Sequence, residues 1–254
     1  NNATTLAQIA DAVEGVPVTE RMVTVQGEVA RPATFRAPLG TSVDALIERA
    51  GGPTVESPAV ILGGPMMGRL ARPEGEVTEK TLAGIIVLPG DHRLIGFLSA
   101  SQAYVLRIAR AACCQCLACT ELCPRALLGH DLAPHRTVRA IQYGDIDLNH
   151  EHITSAFLCC ECGMCELFAC PLEIQPRRIL ADLKAELVRR GISNPHRRTE
   201  LSPVPVREYR QIPTARLVRR LGLSDYDTEA PLDEEPVKPE AVTLRLKQHV
   251  GVPA

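Results

Sequence analysis

The sequence predicts an α+β fold: a small β-grasp-like unit, then an α-helical unit built around cysteines, then an extended proline-rich tail. Three observations predict it. Ahead of residue 100, apolar spacing runs in the order strand–strand–helix–strand–strand. All ten cysteines fall between Cys113 and Cys170, among stretches of helical periodicity. After Ser202, Pro203, Pro205, Pro213, Pro231, Pro236 and Pro239 interrupt any regular pattern.

Residues 4–14 read as a helix, capped by Thr4 or Thr5, with Leu6, Ile9, Ala10 and Val13 on one side and Gly15 and Pro17 as the stop. Residues 22–29 alternate through Val23, Val25, Gly27 and Val29, as a half-buried strand does. Arg31 and Pro32 turn the chain into a returning strand at 34–37, and Pro38, Leu39 and Gly40 turn it again. A helix over 42–50 presents Val43, Leu46 and Ile47, and Gly51, Gly52 and Pro53 end it. Residues 60–62 and 84–88 are apolar runs of strand length. This succession within roughly 70 residues fits a β-grasp-like unit.

Helices follow over 101–112, 134–143, 154–158 and 175–190. The last is strongly amphipathic, with Ile179, Leu180, Leu183 and Leu187 in one stripe. The tail holds one helix over 214–221, an acidic run at Asp233, Glu234 and Glu235, and an alternating segment at 242–246. A strand needs partners, so that last segment reads as the start of a domain the sequence does not complete. The predicted limits are a linker helix at 1–20, the β-grasp-like unit at 21–98, the cysteine unit at 99–192 and the tail at 193–254.

Composition excludes some functions. The 28 basic and 30 acidic residues nearly cancel, to a formal charge of −2, and only 3% of residues are aromatic, with no Trp. Broad binding of nucleic acid needs an excess of basic residues and stacking rings, and the composition offers neither. No apolar run approaches the roughly 20 residues that span a bilayer. A secreted disulfide scaffold would spread its cysteines over the whole fold.

The cysteines form an internal repeat. Cys113, Cys116 and Cys119 are followed by Cys123-Pro124, and Cys159, Cys162 and Cys165 by Cys170-Pro171. Three cysteines at x2-x2 spacing wrap one corner of a cubane, and the fourth thiolate comes from elsewhere. In two-cluster ferredoxins the cysteine before proline ligates the other cluster. The predicted ligand sets are therefore Cys113, Cys116, Cys119 and Cys170 for one [4Fe–4S] cluster, and Cys159, Cys162, Cys165 and Cys123 for a second. Zinc and disulfides are the competing readings. Zinc sites of four thiolates use two separated C-x2-C pairs, and cysteines on one wrapped loop bridge poorly. The second group has four residues, not three, before its last cysteine, a departure that a bulge in the chain can absorb. Cys114 and Cys160 are left over and read, in preference to a spare ligand or redox thiol, as small apolar residues packed under the clusters. Leu117, Leu167 and Phe168 are expected to shield them.

Other candidates are weaker. His150, Glu151 and His152 lack the i, i+4 spacing of a helical zinc pair and read as an exposed turn. The string GGPMMG at 63–68 has no Lys-Ser/Thr and is not G-x-G-x-x-G, which argues against a phosphate cradle. Met66 and Met67 serve equally as core filler, and Arg177 and Arg178 read as a solvated face able to orient a partner.

Taken together, these residues resemble the RnfC-like family, and within it the PduS-like cobalamin reductases of propanediol-utilisation bacterial microcompartments. Residues 23–29, with Pro32, Leu39-Gly40-Thr41 and Ala50-Gly51-Gly52, look like an SLBB (soluble-ligand-binding β-grasp) domain, and GGPMMG is a family string. The paired cysteine groups look like the ferredoxin-like module. Residues 205–209 and 244–254 look like the lead-in to a barrel-sandwich-hybrid domain.

The resemblance implies a middle piece of a larger flavin/iron–sulfur reductase. Its FMN- and NADH-binding domain would lie ahead of this sequence, so no FMN or NADH residue is assigned here. The implied activity is electron transfer through two [4Fe–4S] clusters in an NADH:cob(III/II)alamin reductase. The implied partners are that flavin domain, a corrinoid or cobalamin adenosyltransferase as acceptor, and a microcompartment shell protein. The implied location is the cytoplasm, in the microcompartment lumen. The alternative is an RnfC-like electron-input and docking subunit of a membrane redox complex. No acid–base or nucleophilic residue is assigned.

Overall fold

A computed structural model describes residues 3–72, 75–144, 147–196, 200–209, 212–227 and 240–241. They divide into two compact units: residues up to Ile95 with the short segment Glu240–Ala241, and Gly96–Asp227.

The first unit opens with helix α1 (Ala3–Val13), whose apolar residues Leu6, Ile9 and Val13 all stay exposed. Then come β1 (Glu20–Gly27), β2 (Ala33–Pro38), α2 (Val43–Arg49), β3 (Pro58–Leu62), β4 (Arg69–Leu70) and β5 (Gly84–Pro89), with β6 at Glu240–Ala241. The sheet order is β4-β3-β5-β1-β2-β6. At its centre β1 and β5 run parallel, while β1–β2 and β3–β5 are antiparallel. A parallel central pair needs a crossover, and α2 lies within it. Period-two alternation sends Val23 and Val25 of β1 inward, beside Phe35, Ala37, Ile85 and Val87, onto Val43, Leu46 and Ile47 of α2. On the other face the hydroxyls of Thr24 and Thr34 meet at 3.0 Å. The glycine string at 63–68 makes the tight β3–β4 turn, with Gly68 N donating to Gly64 O at 2.7 Å. Strand β4 was not expected, since two residues carry no detectable alternation.

Gly27 ends β1 at φ +92°, and a Cβ there would stand 2.1 Å from Val87 O on β5. Gly27→Ala is expected to destabilise the unit by on the order of 2 kcal/mol or more, combining left-handed strain with a backbone clash. Gly15→Ala, at φ +79° with nothing within 4 Å, measures the strain alone. Denaturant midpoints of the two variants compare the terms.

Helix α3 (Arg93–Ser99) leads to α4 (Gln102–Ala112), capped by Ser101, whose hydroxyl accepts from Tyr104 N at 3.2 Å. The second unit continues with α5 (Ala118–Glu121), α6 (Pro124–Leu127), α7 (Pro134–Tyr143) and α8 (Glu151–Thr154), extended as a 3₁₀ turn over Ser155–Leu158. A π-helical turn (Met164–Ala169), α9 (Pro176–Arg189), a 3₁₀ turn (Pro205–Tyr209), α10 (Thr214–Leu221) and a last 3₁₀ turn (Ser224–Tyr226) complete it. The helix expected over 154–158 thus starts earlier, because His150 caps it: its Nδ1 accepts from His152 N at 3.2 Å.

Helix α9 serves two cores. Ile179 joins Val105, Ala109, Val138 and Ile141 in one, and Leu180 and Leu187 join Leu132, Ile153 and Ala156 in the other. Part of the expected tail packs on this unit. Val204 N donates to Leu127 O at 2.9 Å, and a Cβ on Gly129 would meet Ser202 O at 2.4 Å. Pro231, Pro236, Pro239, the acidic run at 233–235 and the strand expected at 242–246 lie outside the described residues. Among the described residues no helix is long and apolar enough to cross a membrane.

Candidate metal centre

The two cysteine loops follow the same path. Cys113 ends α4 in extended backbone at φ −65°, ψ 110°, and Cys159 ends its 3₁₀ turn at φ −66°, ψ 126°. Two residues on, Gln115 and Glu161 are left-handed at φ 54° and 57°. After the second cysteine, Leu117 and Gly163 are left-handed at φ 65° and 77°. The cysteines before proline match as well: Cys123 at φ −70°, ψ 118° and Cys170 at φ −71°, ψ 115°. Left-handed backbone is strained for Gln115, Leu117 and Glu161, and a loop that must turn several sulfurs toward one point keeps them so.

The extra residue of the second loop is absorbed between Cys165 and Cys170. There Cys170 N donates to Cys165 O at 3.1 Å, a π-type i→i+5 bond. The first loop closes the same span with tighter bonds, from Leu122 N to Ala118 O at 3.1 Å and Cys123 N to Thr120 O at 3.0 Å.

These paths exchange the fourth cysteines. Cys113, Cys116, Cys119 and Cys170 line one small cavity, and Cys159, Cys162, Cys165 and Cys123 line another. Each cavity is also lined by the cysteine that follows the first of its loop, Cys114 in one and Cys160 in the other. Among the described residues no three ligating side chains close on a point as around one ion. Hydrogen-bond donors face the sulfurs: Gln115 Nε2 to Cys113 Sγ at 3.1 Å, Glu161 N to Cys159 Sγ at 3.4 Å and Ile174 N to Cys170 Sγ at 3.5 Å. Thiols around a small cavity, with donors aimed at three of them, suit a thiolate-held iron–sulfur cluster.

Burial pushes the Cys119 thiol up to about 12, and the neighbouring Cys170 thiol adds to it. Burial likewise pushes Cys159 up to about 11 and raises Cys123, Cys162, Cys165 and Cys170. Such thiols keep their protons at neutral pH, so ligation must displace them.

The surroundings of the two groups differ. At the second, Glu161 Oε1 pairs with Lys184 Nζ at 3.1 Å, and Lys184 also donates to Cys159 O at 3.2 Å. Glu166, with its side chain fully buried, pairs with Arg177 Nε at 2.6 Å and accepts from Arg178 N at 3.3 Å. Burial raises the Glu166 carboxyl in spite of both arginines. At the first, the equivalent positions are neutral: Gln115, and Thr120, whose hydroxyl lies 2.7 Å from His135 Nδ1.

Three expectations change. Cys114 and Cys160 are exposed rather than packed out of reach of solvent, although each lines the cavity of its own loop. Leu167 and Phe168 are buried as expected, but Leu117 is 42% exposed. Arg177 and Arg178 are not a solvated face: Arg177 answers the buried Glu166, and the Arg178 guanidinium donates to Ala100 O. Sequence reasoning missed Gln115, Thr120, Lys184 and Arg220, although the internal repeat aligns Gln115 with Glu161 and Thr120 with Glu166.

Comparisons with known proteins match two stretches of the chain. Residues 22–70 match the SLBB domain, and residues 112–175 match a 4Fe-4S dicluster domain. The chain is 44% identical over 256 residues to the cobalamin reductase PduS of Salmonella typhimurium, covering 100% of this chain and 56% of the relative. It is 42% identical over 255 residues to the PduS of Citrobacter freundii, with the same coverage. A shorter match, 35% identical over 121 residues, is to a component of the ion-translocating oxidoreductase complex of Erwinia tasmaniensis, covering 47% of this chain and 14% of the relative. The chain spans little more than half the length of the two reductases. Along its full length it is thus similar to PduS cobalamin reductases, as an SLBB domain followed by an iron–sulfur domain.

Proposed function

We propose that this chain is the electron-relay portion of a flavin-dependent NADH:cob(III/II)alamin reductase, holding two [4Fe–4S] clusters. Cys113, Cys116, Cys119 and Cys170 hold the first, and Cys159, Cys162, Cys165 and Cys123 the second. Two loops wound alike, each receiving its last cysteine from the other, is the observation that carries this assignment. Such clusters accept and pass single electrons with little structural change. The chain's part is to hold them, to exclude water with Leu167, Phe168 and Leu180, to balance the buried Glu166 with Arg177, and to pair the partly exposed Glu161 with Lys184.

In domain terms the proposal is a linker helix at 1–20, the SLBB unit at 21–98, the cluster unit at 99–192, and a tail from 193 whose helix α10 packs back on the clusters' loops. FMN and NADH belong to a flavin domain of the same protein outside this sequence. The acceptor is a corrinoid or a cobalamin adenosyltransferase, and the setting is a microcompartment lumen with a shell protein nearby. Similarity over the whole chain to the cobalamin reductases, against 47% of it to the component of the ion-translocating complex, favours this over the second assignment.

Anaerobic reconstitution tests it. The protein is expected to bind about eight irons and as many sulfides, to show two cubane EPR signals when reduced, and to reduce hydroxocobalamin once pre-reduced. Stoichiometric zinc, or about four irons, would overturn the two-cluster assignment. Two clusters that cobalamin cannot oxidise would overturn the acceptor.

A further inference from the structure

Up to their third cysteines the two loops share one backbone path, so their differences there lie in side chains at equivalent positions. Where the second loop carries Glu161, paired with Lys184, the first carries Gln115. The Gln115 amide nitrogen donates to Cys113 Sγ at 3.1 Å and to His135 O at 3.4 Å. A backbone carbonyl only accepts, so His135 O fixes which end of the amide faces inward. The amide oxygen is left buried with no partner among the described residues. An unpartnered buried acceptor costs free energy, and a residue serving only to fill space would not carry one. Gln115 also holds a left-handed backbone at φ 54°. At the second loop the matching side chain turns away to Lys184, and it is the backbone amide of Glu161 that faces Cys159 Sγ, at 3.4 Å.

We infer that the Gln115 side chain tunes the first centre, raising its reduction potential through the hydrogen bond to the Cys113 sulfur. The inference rests on the two-cluster assignment. A donor to a ligand sulfur stabilises the added negative charge of the reduced state more than the oxidised state, so its loss lowers the potential. Gln115 makes no bond to iron in this scheme: it is a positioning and tuning residue that acts through Cys113.

The test is an EPR-monitored redox titration of the reconstituted chain. The first centre's signal is identified as the one that Cys116→Ala removes. Gln115→Ala is expected to shift that signal's midpoint to more negative potential and to leave the other in place. Gln115→Glu keeps the side chain's shape while removing the donor and adding charge, and is expected to shift it further in the same direction. An unmoved midpoint, an equal shift of both signals, or loss of the first centre from both variants would overturn the tuning role. Iron and sulfide counts on the unsubstituted protein separate that failure from a failure of the cluster assignment: without two clusters there, the assignment itself falls, and this inference with it.

Discussion

Cys170→Ala is expected to abolish the first centre and spare the second, lowering iron from about eight per chain to about four. The reason is the exchange of fourth cysteines. Cys170 stands close behind Cys165 in sequence, yet it lines the cavity of Cys113, Cys116 and Cys119. Double variants sharpen the test. If the ligand sets are crossed, Cys116→Ala with Cys170→Ala removes ligands of one centre only, and about four irons remain. Cys165→Ala with Cys170→Ala touches both centres and leaves little. An uncrossed arrangement reverses the two results. Iron counting with EPR of the reduced protein reads all three variants, and the reversed outcome would show the ligand sets to be wrong.

Arg177→Met is expected to destabilise the second unit by about 3–5 kcal/mol, because it strands a buried carboxylate. For a unit of this size that lowers the melting temperature by roughly 10–20 °C. Glu166 has no exposed side-chain surface, and among the described residues Arg177, with Nε at 2.6 Å, is its side-chain ion pair. Adding Glu166→Gln to Arg177→Met is expected to restore most of the loss. The pH dependence has a definite sign. Burial holds the Glu166 carboxyl above its ordinary value even with Arg177 in place. A raised carboxyl favours the folded state while protonated and loses that contribution as pH rises through its folded pKa. Without Arg177 the folded pKa rises further, so the variant's deficit is expected to be larger at about pH 8 than at about pH 6. Melting curves at the two pH values, under anaerobic conditions, check it.

What could be read in advance follows from which signals are local. Which cysteines share a cavity was legible because thiols on one wrapped loop need fixed spacing, and a loop of three leaves a fourth place open to Cys123 or Cys170 of the other. Strands β1, β2, β3 and β5 were legible because each buries one face, which writes a period of two or an apolar run. The environment of Cys114 and Cys160 was not, since exposure there depends on backbone handedness at Gln115 and Glu161, which no periodicity reports. Arg177 was misread for a related reason. A charge on an amphipathic helix faces water unless another element brings a buried carboxylate to it, and Glu166 arrives from the π-turn. The exposed side of α1 shows the reverse: Leu6, Ile9 and Val13 have helical spacing, yet none of them is buried.

The π-turn between Cys165 and Cys170 does more than absorb one residue. Wider hydrogen bonding leaves carbonyls without a helical partner, and two of them, Leu167 O and Cys170 O, accept from Arg220 of α10 at 3.0 and 2.6 Å. The same turn sets the Phe168 ring 4.7 Å from the Arg216 guanidinium. The first loop, one residue shorter, has no such turn. The inserted residue therefore makes a foothold: the two loops differ where α10 grips the second, while the stretch before α10 is held at Leu127 and Gly129, just past the first.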